Sequence, residues 1–354
     1  MAACAANRPM RSEKAMSQPE PETVEDRLRA QIEAYHDAAL AYGAVKLGLP
    51  ETLGAEAWTA ERLAAALGLS APHLSRMLKG LATQGLVAAR SDGAFTLTDA
   101  GRALSPGSGS TLREKLLIVV EQYWQPWAHL AACVETGTPA FDLVFGAPVG
   151  DWRRTHPKHG EAFESYLGRE NFAGAGPVLD MLDVSGVKTV ADLGGGHGGL
   201  LAAILTKHPH LRGVLFTQPL SSMAAKAYLE SMNVADRVAL VGVDIAQDIP
   251  VDADMYVLKS VLQRHDDTQA RKILENCRFA LTPGAKLIVV ERLMPEHAMG
   301  DPAAIMLDLH MMAITGGKTR TKAEMEALIA EAGLRIAACS KTSDGLAFIE
   351  LTSP

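Results

Sequence analysis

The stretch Thr189-Val190-Ala191-Asp192-Leu193-Gly194-Gly195-Gly196-His197-Gly198-Gly199-Leu200 decides the fold of the second half of this chain. A short apolar run leads into a cluster of glycines, and another apolar run follows. This pattern predicts a buried strand, a tight turn and the start of a helix. Glycines let the backbone turn sharply and let a ligand approach main-chain N–H groups.

The same rhythm of strand and helix continues to the end of the chain. Besides 189–193, the apolar runs that predict strands are Gly213–Phe216, Val238–Val243, Met255–Lys259, Lys286–Glu291 and Ala347–Leu351. Alternation at this spacing is typical of an open, mostly parallel sheet covered by helices on both faces. We therefore predict an α/β fold, a doubly wound Rossmann-like sheet, for residues 183–354.

The first half of the chain has a different pattern. Thr59 is a favourable N-cap, and Gly68 is a helix end. Ser70 is predicted to cap a second helix at 73–84, which a hairpin at 86–97 follows. This order predicts an all-helical, winged-helix domain over residues 23–104. Residues 105–182 are expected to form a linker and a helical segment that lines a pocket, and residues 1–22 to be disordered.

A winged helix can bind DNA or can serve as a dimerisation and lid domain. The second predicted helix carries only two cations, Arg76 and Lys79, and the formal net charge of the 354 residues is −7. Nucleic acids and anionic membranes select basic surfaces, so the composition favours dimerisation and argues against both partners.

Four scattered cysteines predict neither a disulfide framework nor a metal site. The absence of a long apolar segment predicts a cytoplasmic protein.

The glycine cluster fits two ligand-binding patterns. Gly194, Gly196 and Gly199 fit the G-x-G-x-x-G of dinucleotide sites, whereas Asp192, Gly194, Gly196 and Gly198 fit the D-x-G-x-G-x-G of class I methyltransferases. An acidic side chain at the strand end meets an amino group well and repels a pyrophosphate. Asp192 therefore favours the second pattern.

From about residue 24 onward the chain resembles the dimeric S-adenosylmethionine (SAM)-dependent O-methyltransferases, typified by caffeic acid O-methyltransferase and by bacterial anthracycline and phenazine methyltransferases. The resemblance rests on the winged-helix start, the glycine cluster and four further segments, 137–141, 281–287, 290–295 and 316–321. It implies a SAM cofactor, a homodimer through the N-terminal domain, and a small, hydroxylated, often aromatic substrate of secondary metabolism.

The resemblance also implies roles for single residues at the cofactor site. Asp244 stands where the family contacts the adenine amino group, and Lys259 where a lysine lies near the cofactor. The position of the acid that binds both ribose hydroxyls is held by Thr217, with Gln218 beside it as a substitute. A threonine hydroxyl is neutral and offers the ribose less than a carboxylate does.

The catalytic segment departs further from the family. Gln263 stands at the position of the histidine that acts as general base, and an amide cannot take a proton at neutral pH. Glu291 matches the first of two glutamates that flank that histidine, and Thr319 replaces the second. Three interpretations follow: methyl transfer by proximity, another base such as His310 or His265, or a methyltransferase fold used for other chemistry with SAM structural or not bound. A metabolite-sensing regulator is a further alternative.

The resemblance places several apolar and aromatic side chains where a flat organic substrate binds. These pocket candidates are Trp124, Trp127, Phe163, Leu167, Met311 and Thr315.

Overall fold

The computed structural model describes residues 23–217, 222–297 and 300–353. The predicted disorder of residues 1–22 and the predicted role of Gln218 therefore lie outside the described residues. In the described part no helix is long and apolar enough to cross a membrane, and no cluster of His, Cys, Asp and Glu is placed to hold a metal ion.

The N-terminal domain consists of short helices and one hairpin. Its elements are α1 (Val24–Glu33), α2 (Tyr35–Lys46), α3 (Leu49–Leu53), α4 (Ala60–Leu67), α5 (Ala71–Thr83), β1 (Val87–Ala89), β2 (Phe95–Leu97) and α6 (Asp99–Arg102). Thr59 caps α4 by accepting a hydrogen bond from the N–H of Arg62, and Gly68 ends it in the left-handed conformation, both as predicted. The hydroxyl of Ser70 bonds to the ring of His73 rather than to the backbone of α5.

The second segment is a series of helices that connects the two domains. It comprises α7 (Leu112–Ile118), a π-helical turn (Val119–Tyr123), α8 (Trp124–Ala128), α9 (Leu130–Thr136), α10 (Ala140–Phe145), α11 (Val149–Thr155), α12 (Pro157–Ala173) and α13 (Gly176–Leu179). The π-helical turn, one extra residue in the helical ladder, aims Gln122 and Tyr123 inward, as such insertions often do at functional sites.

The C-terminal domain is a seven-stranded sheet in the order β5-β4-β3-β6-β7-β9-β8. Its strands are β3 (Thr189–Leu193), β4 (Arg212–Phe216), β5 (Val238–Val241), β6 (Met255–Lys259), β7 (Lys286–Glu291), β8 (Arg335–Lys341) and β9 (Ala347–Thr352). The first five are parallel, and β9 is antiparallel to both β7 and β8. The predicted doubly wound sheet is confirmed, with one strand, β8, that the sequence did not reveal.

Two apolar layers cover the faces of this sheet. Its helices are α14 (Gly199–Lys207), α15 (Ser222–Ser231), α16 (Asp267–Ala280), α17 (Pro302–Ile314) and α18 (Lys322–Glu331), with short 3₁₀ turns at Ala235–Arg237 and Leu262–Arg264. Packing of α14 buries one face, and packing of α16 and α18 buries the other. The carboxyl ends of β3, β4, β6 and β7 thereby meet at one edge, which is where open α/β sheets bind ligands.

Candidate active site

The glycine turn after β3 is closely covered by α12. Gly194, Gly196 and Gly198 have φ values of +75°, +57° and +82°, which a residue with a side chain adopts only under strain. A methyl group added at Gly199 would lie 1.9 Å from the carbonyl oxygen of Gly168. The glycines are therefore required by the close approach of α12 as well as by the turn itself.

Asp192 ends β3 beneath this turn. It is 2% exposed, and its Oδ2 has no hydrogen-bond partner among the described residues. Burial raises the pKa of Asp192 to about 7, although the nearby cation of Lys259 acts in the opposite direction. A buried carboxylate with a free oxygen suits a cationic ligand, which supplies the missing hydrogen bond and charge.

The other predicted cofactor residues lie at the same sheet edge. Lys259 ends β6 and donates a 3.0 Å hydrogen bond from Nζ to Oδ1 of Asn171 on α12, and burial lowers the pKa of Lys259. Thr217 follows β4; it is buried, and its hydroxyl has no partner in the part of the chain that the structure describes. Asp244 is exposed, and its Oδ1 accepts a hydrogen bond from the N–H of Ala246. These groups are chemically suited to SAM, because the buried oxygens of Asp192 and Thr217 without partners among the described residues can accept hydrogen bonds from an ammonium group and from hydroxyls.

Gln263, which the resemblance places at the general-base position, lies in the 3₁₀ turn after β6. Gln263 is 8% exposed, and its Oε1 has no hydrogen-bond partner among residues 23–217, 222–297 and 300–353. The backbone of this turn is fixed from two sides. The guanidinium of Arg320 donates to the carbonyl oxygens of Leu262 and His265, and Glu291 accepts from the turn.

Glu291 is buried at the end of β7. Its Oε1 accepts hydrogen bonds from the N–H groups of Val261 and Leu262 at 2.9 and 2.7 Å. Burial raises the pKa of Glu291 to about 7, against the lowering effect of those hydrogen bonds. Thr319 is also buried; its N–H donates to Asp308, and its hydroxyl has no partner among the described residues.

His310 on α17 is part of an aromatic cluster. The indole N–H of Trp127 donates to Nδ1 of His310 at 3.1 Å, and the ring of Tyr123 meets that of His310 edge-on at 4.7 Å. Burial, with the nearby charge of Arg153, lowers the pKa of His310 to about 4. Because Nδ1 accepts, the neutral ring carries its proton on Nε2. His310 is thus arranged to donate a hydrogen bond rather than to take a proton.

The second histidine candidate, His265, follows the Gln263 turn. It is half-buried, and burial together with the neighbouring Arg264 lowers its pKa. The structure brings it to the carboxyl edge of the sheet, next to the turn but not into the aromatic cluster around His310.

The pocket candidates come from three helices: two from α8, two from α12, and two from α17 and its C-cap. The ring of Phe163 lies under the guanidinium of Arg153, with 3.4 Å between the guanidinium carbon and the ring centroid, and Trp127 contacts His310. Met311 is buried, and its carbonyl accepts a hydrogen bond from the hydroxyl of Thr315. Trp124 and Leu167 are half-buried on α8 and α12.

Several polar residues of the site escaped sequence reasoning. Arg153 donates from Nε to Gln122 and from Nη2 to the hydroxyl of Tyr123, at 2.9 and 3.0 Å. Glu164 rests against the glycine turn, and Asn171 binds Lys259. The five residues other than Lys259 come from α11, α12 and the π-helical turn. Local sequence patterns do not predict that these elements pack over the sheet edge.

Comparison with known proteins agrees with this architecture. Residues 127–335 match the O-methyltransferase domain family, and residues 32–106 match the O-methyltransferase dimerisation domain. The chain belongs to the O-methyltransferase family.

Three relatives illustrate the range of this family. The phenazine O-methyltransferase PhzM of Lysobacter antibioticus is 34% identical over 91% of this chain and 94% of its own length. The O-methyltransferase NcsB1 of neocarzinostatin biosynthesis was solved with S-adenosyl-L-homocysteine (SAH) and 1,4-dihydroxy-2-naphthoic acid; it is 28% identical, with a TM-score of 0.77 over 90% of this chain and 96% of that one. Aclacinomycin 10-hydroxylase RdmB of Streptomyces purpurascens is 35% identical over 58% of this chain and 55% of its own. The family is SAM-dependent and methylates oxygen or nitrogen of aromatic secondary metabolites.

Proposed function

We propose that this protein methylates a small, planar aromatic or polyketide-like metabolite by proximity, without a general base at the family position. The observation that carries the proposal is Gln263, a buried amide at that position. An amide cannot abstract a proton at neutral pH. The nucleophile is therefore a hydroxyl that is already ionised, or a nitrogen, and the pocket holds it in line with the methyl group.

When bound, SAM supplies an electrophilic methyl group. The residues of this chain bind and orient the two reactants. Tyr123, Trp127 and Phe163 present aromatic surface to a flat substrate, and Nε2–H of His310 is available as a hydrogen-bond donor. Orientation alone is worth roughly 7–11 kcal/mol of barrier in well-placed reactions, which is sufficient for a reactive nucleophile.

Calorimetry with SAM and SAH, followed by methyl transfer from labelled SAM to a panel of phenols, naphthols and aryl amines, tests the proposal. In the proximity mechanism, Gln263→Ala lowers kcat by less than about tenfold, whereas loss of a general base costs roughly 10²- to 10⁴-fold. A fall of more than a hundredfold contradicts proximity. Failure of both SAM and SAH to bind at millimolar concentration contradicts the methyltransferase function altogether.

A second candidate function is other chemistry on the same fold, with SAM structural or not bound. The observation that favours it is the likeness to RdmB, which is named a hydroxylase. Mass spectrometry separates the two functions, because a methylated product gains a methyl group and a hydroxylated product gains an oxygen atom.

The partner that we propose is a second copy of the chain rather than nucleic acid. The net charge of −7 supports this choice. A shift of duplex DNA at low salt, weakening as salt rises, would instead indicate a DNA-binding regulator.

A further inference from the structure

We propose that Glu164 is a cofactor ligand: its carboxylate binds the ammonium group of SAM from the α12 side of the glycine turn, across from Asp192. This inference rests on the proposed use of SAM by this site. The glycine motif of residues 192–198 does not include Glu164.

The position of α12 against the turn is fixed. Gly168 allows the contact: a methyl group added there would lie 3.0 Å from Cβ of His197, and the hydroxyl of Tyr228 donates to the Gly168 carbonyl. Glu164 precedes Gly168 by four residues, so both lie on the same face of the helix. The side chain of Glu164 therefore points at the glycine turn.

The carboxylate of Glu164 lies against the glycine turn at Gly196. A methyl group added at Gly196 would lie 2.5 Å from Oε2 of Glu164. Glycines at such turns let the ligand come close to the backbone. A ligand in the cradle must then either contact this carboxylate or displace it.

The carboxylate is not satisfied by the protein. Oε2 of Glu164 is buried and has no hydrogen-bond partner among the described residues. The charges of Arg264 and Arg153 favour the ionised form of Glu164. Burial outweighs both arginines and raises the pKa of Glu164. A buried carboxylate oxygen without a hydrogen-bond partner is unfavourable, and a cationic ligand would supply that partner.

SAM carries the matching charge. Its amino-acid end holds an ammonium group with three donors, and Asp192 lies across the turn with a free oxygen of its own. Two carboxylates, one from β3 and one from α12, thus flank the cradle and can share these donors. Charge-assisted hydrogen bonds of this kind are the strong ones.

The test compares SAM, SAH and 5′-methylthioadenosine, which keeps the adenosine and thioether but lacks the amino-acid end. Glu164→Gln preserves size and removes the charge. It is expected to weaken SAM and SAH binding in calorimetry by about 10- to 100-fold and to leave 5′-methylthioadenosine unchanged. Glu161→Gln, an exposed change on the same helix, is the matched control and should alter none of the three.

Other outcomes overturn the inference in distinguishable ways. Equal weakening of all three ligands indicates a structural role, and weakening of SAM but not SAH indicates a contact with the sulfonium. Unchanged binding excludes any contact. If Glu164→Gln does not fold, Glu164→Asp tests the same point, because a shortened carboxylate must lose SAH affinity and keep 5′-methylthioadenosine. A wild-type protein that binds neither SAM nor SAH overturns the proposed function as well.

Discussion

Glu291 accepts a 2.7 Å hydrogen bond from the backbone N–H of Leu262, the residue immediately before Gln263. The same oxygen accepts from Val261, so one buried carboxylate oxygen closes the turn that carries Gln263. The resemblance places Glu291 beside the general-base position. In this structure the carboxylate of Glu291 holds the backbone of that turn.

Replacing Glu291 is expected to destabilise the protein. Glu291→Ala leaves two buried N–H groups without their acceptor, which costs about 1–3 kcal/mol for each group. Glu291→Gln is the matched control, since its amide oxygen still accepts. Urea unfolding should show that Glu291→Ala lowers the free energy of unfolding at least twice as much as Glu291→Gln does. Equal losses would mean that the charge, rather than the acceptor, holds the turn.

Asp192 is expected to make stability depend on pH. Burial raises its pKa from 3.8 to about 7, so the folded protein holds a proton that the unfolded chain has released. The contribution of Asp192 to the free energy of unfolding is fully present below about pH 4 and is lost as the pH rises toward 7. Glu291 acts with the same sign, whereas His310, whose pKa is lowered to about 4, acts with the opposite one.

Comparison of variants isolates the effect of Asp192. Urea unfolding of Asp192→Asn between pH 5 and 8 should show a smaller decline of stability with pH than the wild type. Asp236→Asn, an exposed change, should retain the wild-type slope. If the free energies of unfolding of the wild type and Asp192→Asn change with pH in parallel, Asp192 is ionised in the folded protein.

The sequence predicted the central sheet well and the surroundings of the site poorly. β3, β6 and β7 have the predicted bounds, because buried parallel strands read as short apolar runs between turns. β8 escaped because its apolar run, 336–339, is short and half alanine, which disfavours strands, and because all seven of its residues are exposed rather than part of the core. Glu164, Arg153 and Asn171 escaped for another reason: they reach the site through the packing of α11 and α12 on the sheet edge, and local periodicity does not encode that packing.

Thr217 is expected to limit cofactor affinity. Its hydroxyl is buried and has no hydrogen-bond partner among the described residues, and the resemblance places it where a carboxylate takes both ribose hydroxyls. Thr217→Asp should raise SAM affinity several-fold, because charge-assisted bonds are stronger than neutral ones. Thr217→Val, which removes the hydroxyl at constant size, should lower it. Calorimetry that finds no gain for Thr217→Asp would mean that another group already binds the ribose.

His310 is expected to stay neutral throughout the physiological range. Its pKa is lowered to about 4, and the indole of Trp127 keeps Nδ1 as an acceptor. Nitrogen-15 NMR of the histidine rings should show a proton on Nε2 and no titration of His310 between pH 5 and 8. Trp127→Phe removes the indole N–H that donates to Nδ1, and it should therefore raise the pKa of His310. Titration of wild-type His310 near 6.5 would restore it as a candidate base.

The apolar ridge of α1 is expected to form part of a dimer interface. Val24, Leu28 and Ile32 fall on one face of α1 and are 71%, 55% and 65% exposed in the single chain. The matched dimerisation domain begins at residue 32. The double variant Leu28→Asp and Ile32→Asp should sediment as a monomer in analytical ultracentrifugation, because burying two unpaired carboxylates opposes association. Arg29→Asp adds the same charge type to the same helix outside the ridge and should leave the dimer intact. If the double variant remains dimeric, the ridge lies outside the interface, and the dimer is held by other parts of the domain.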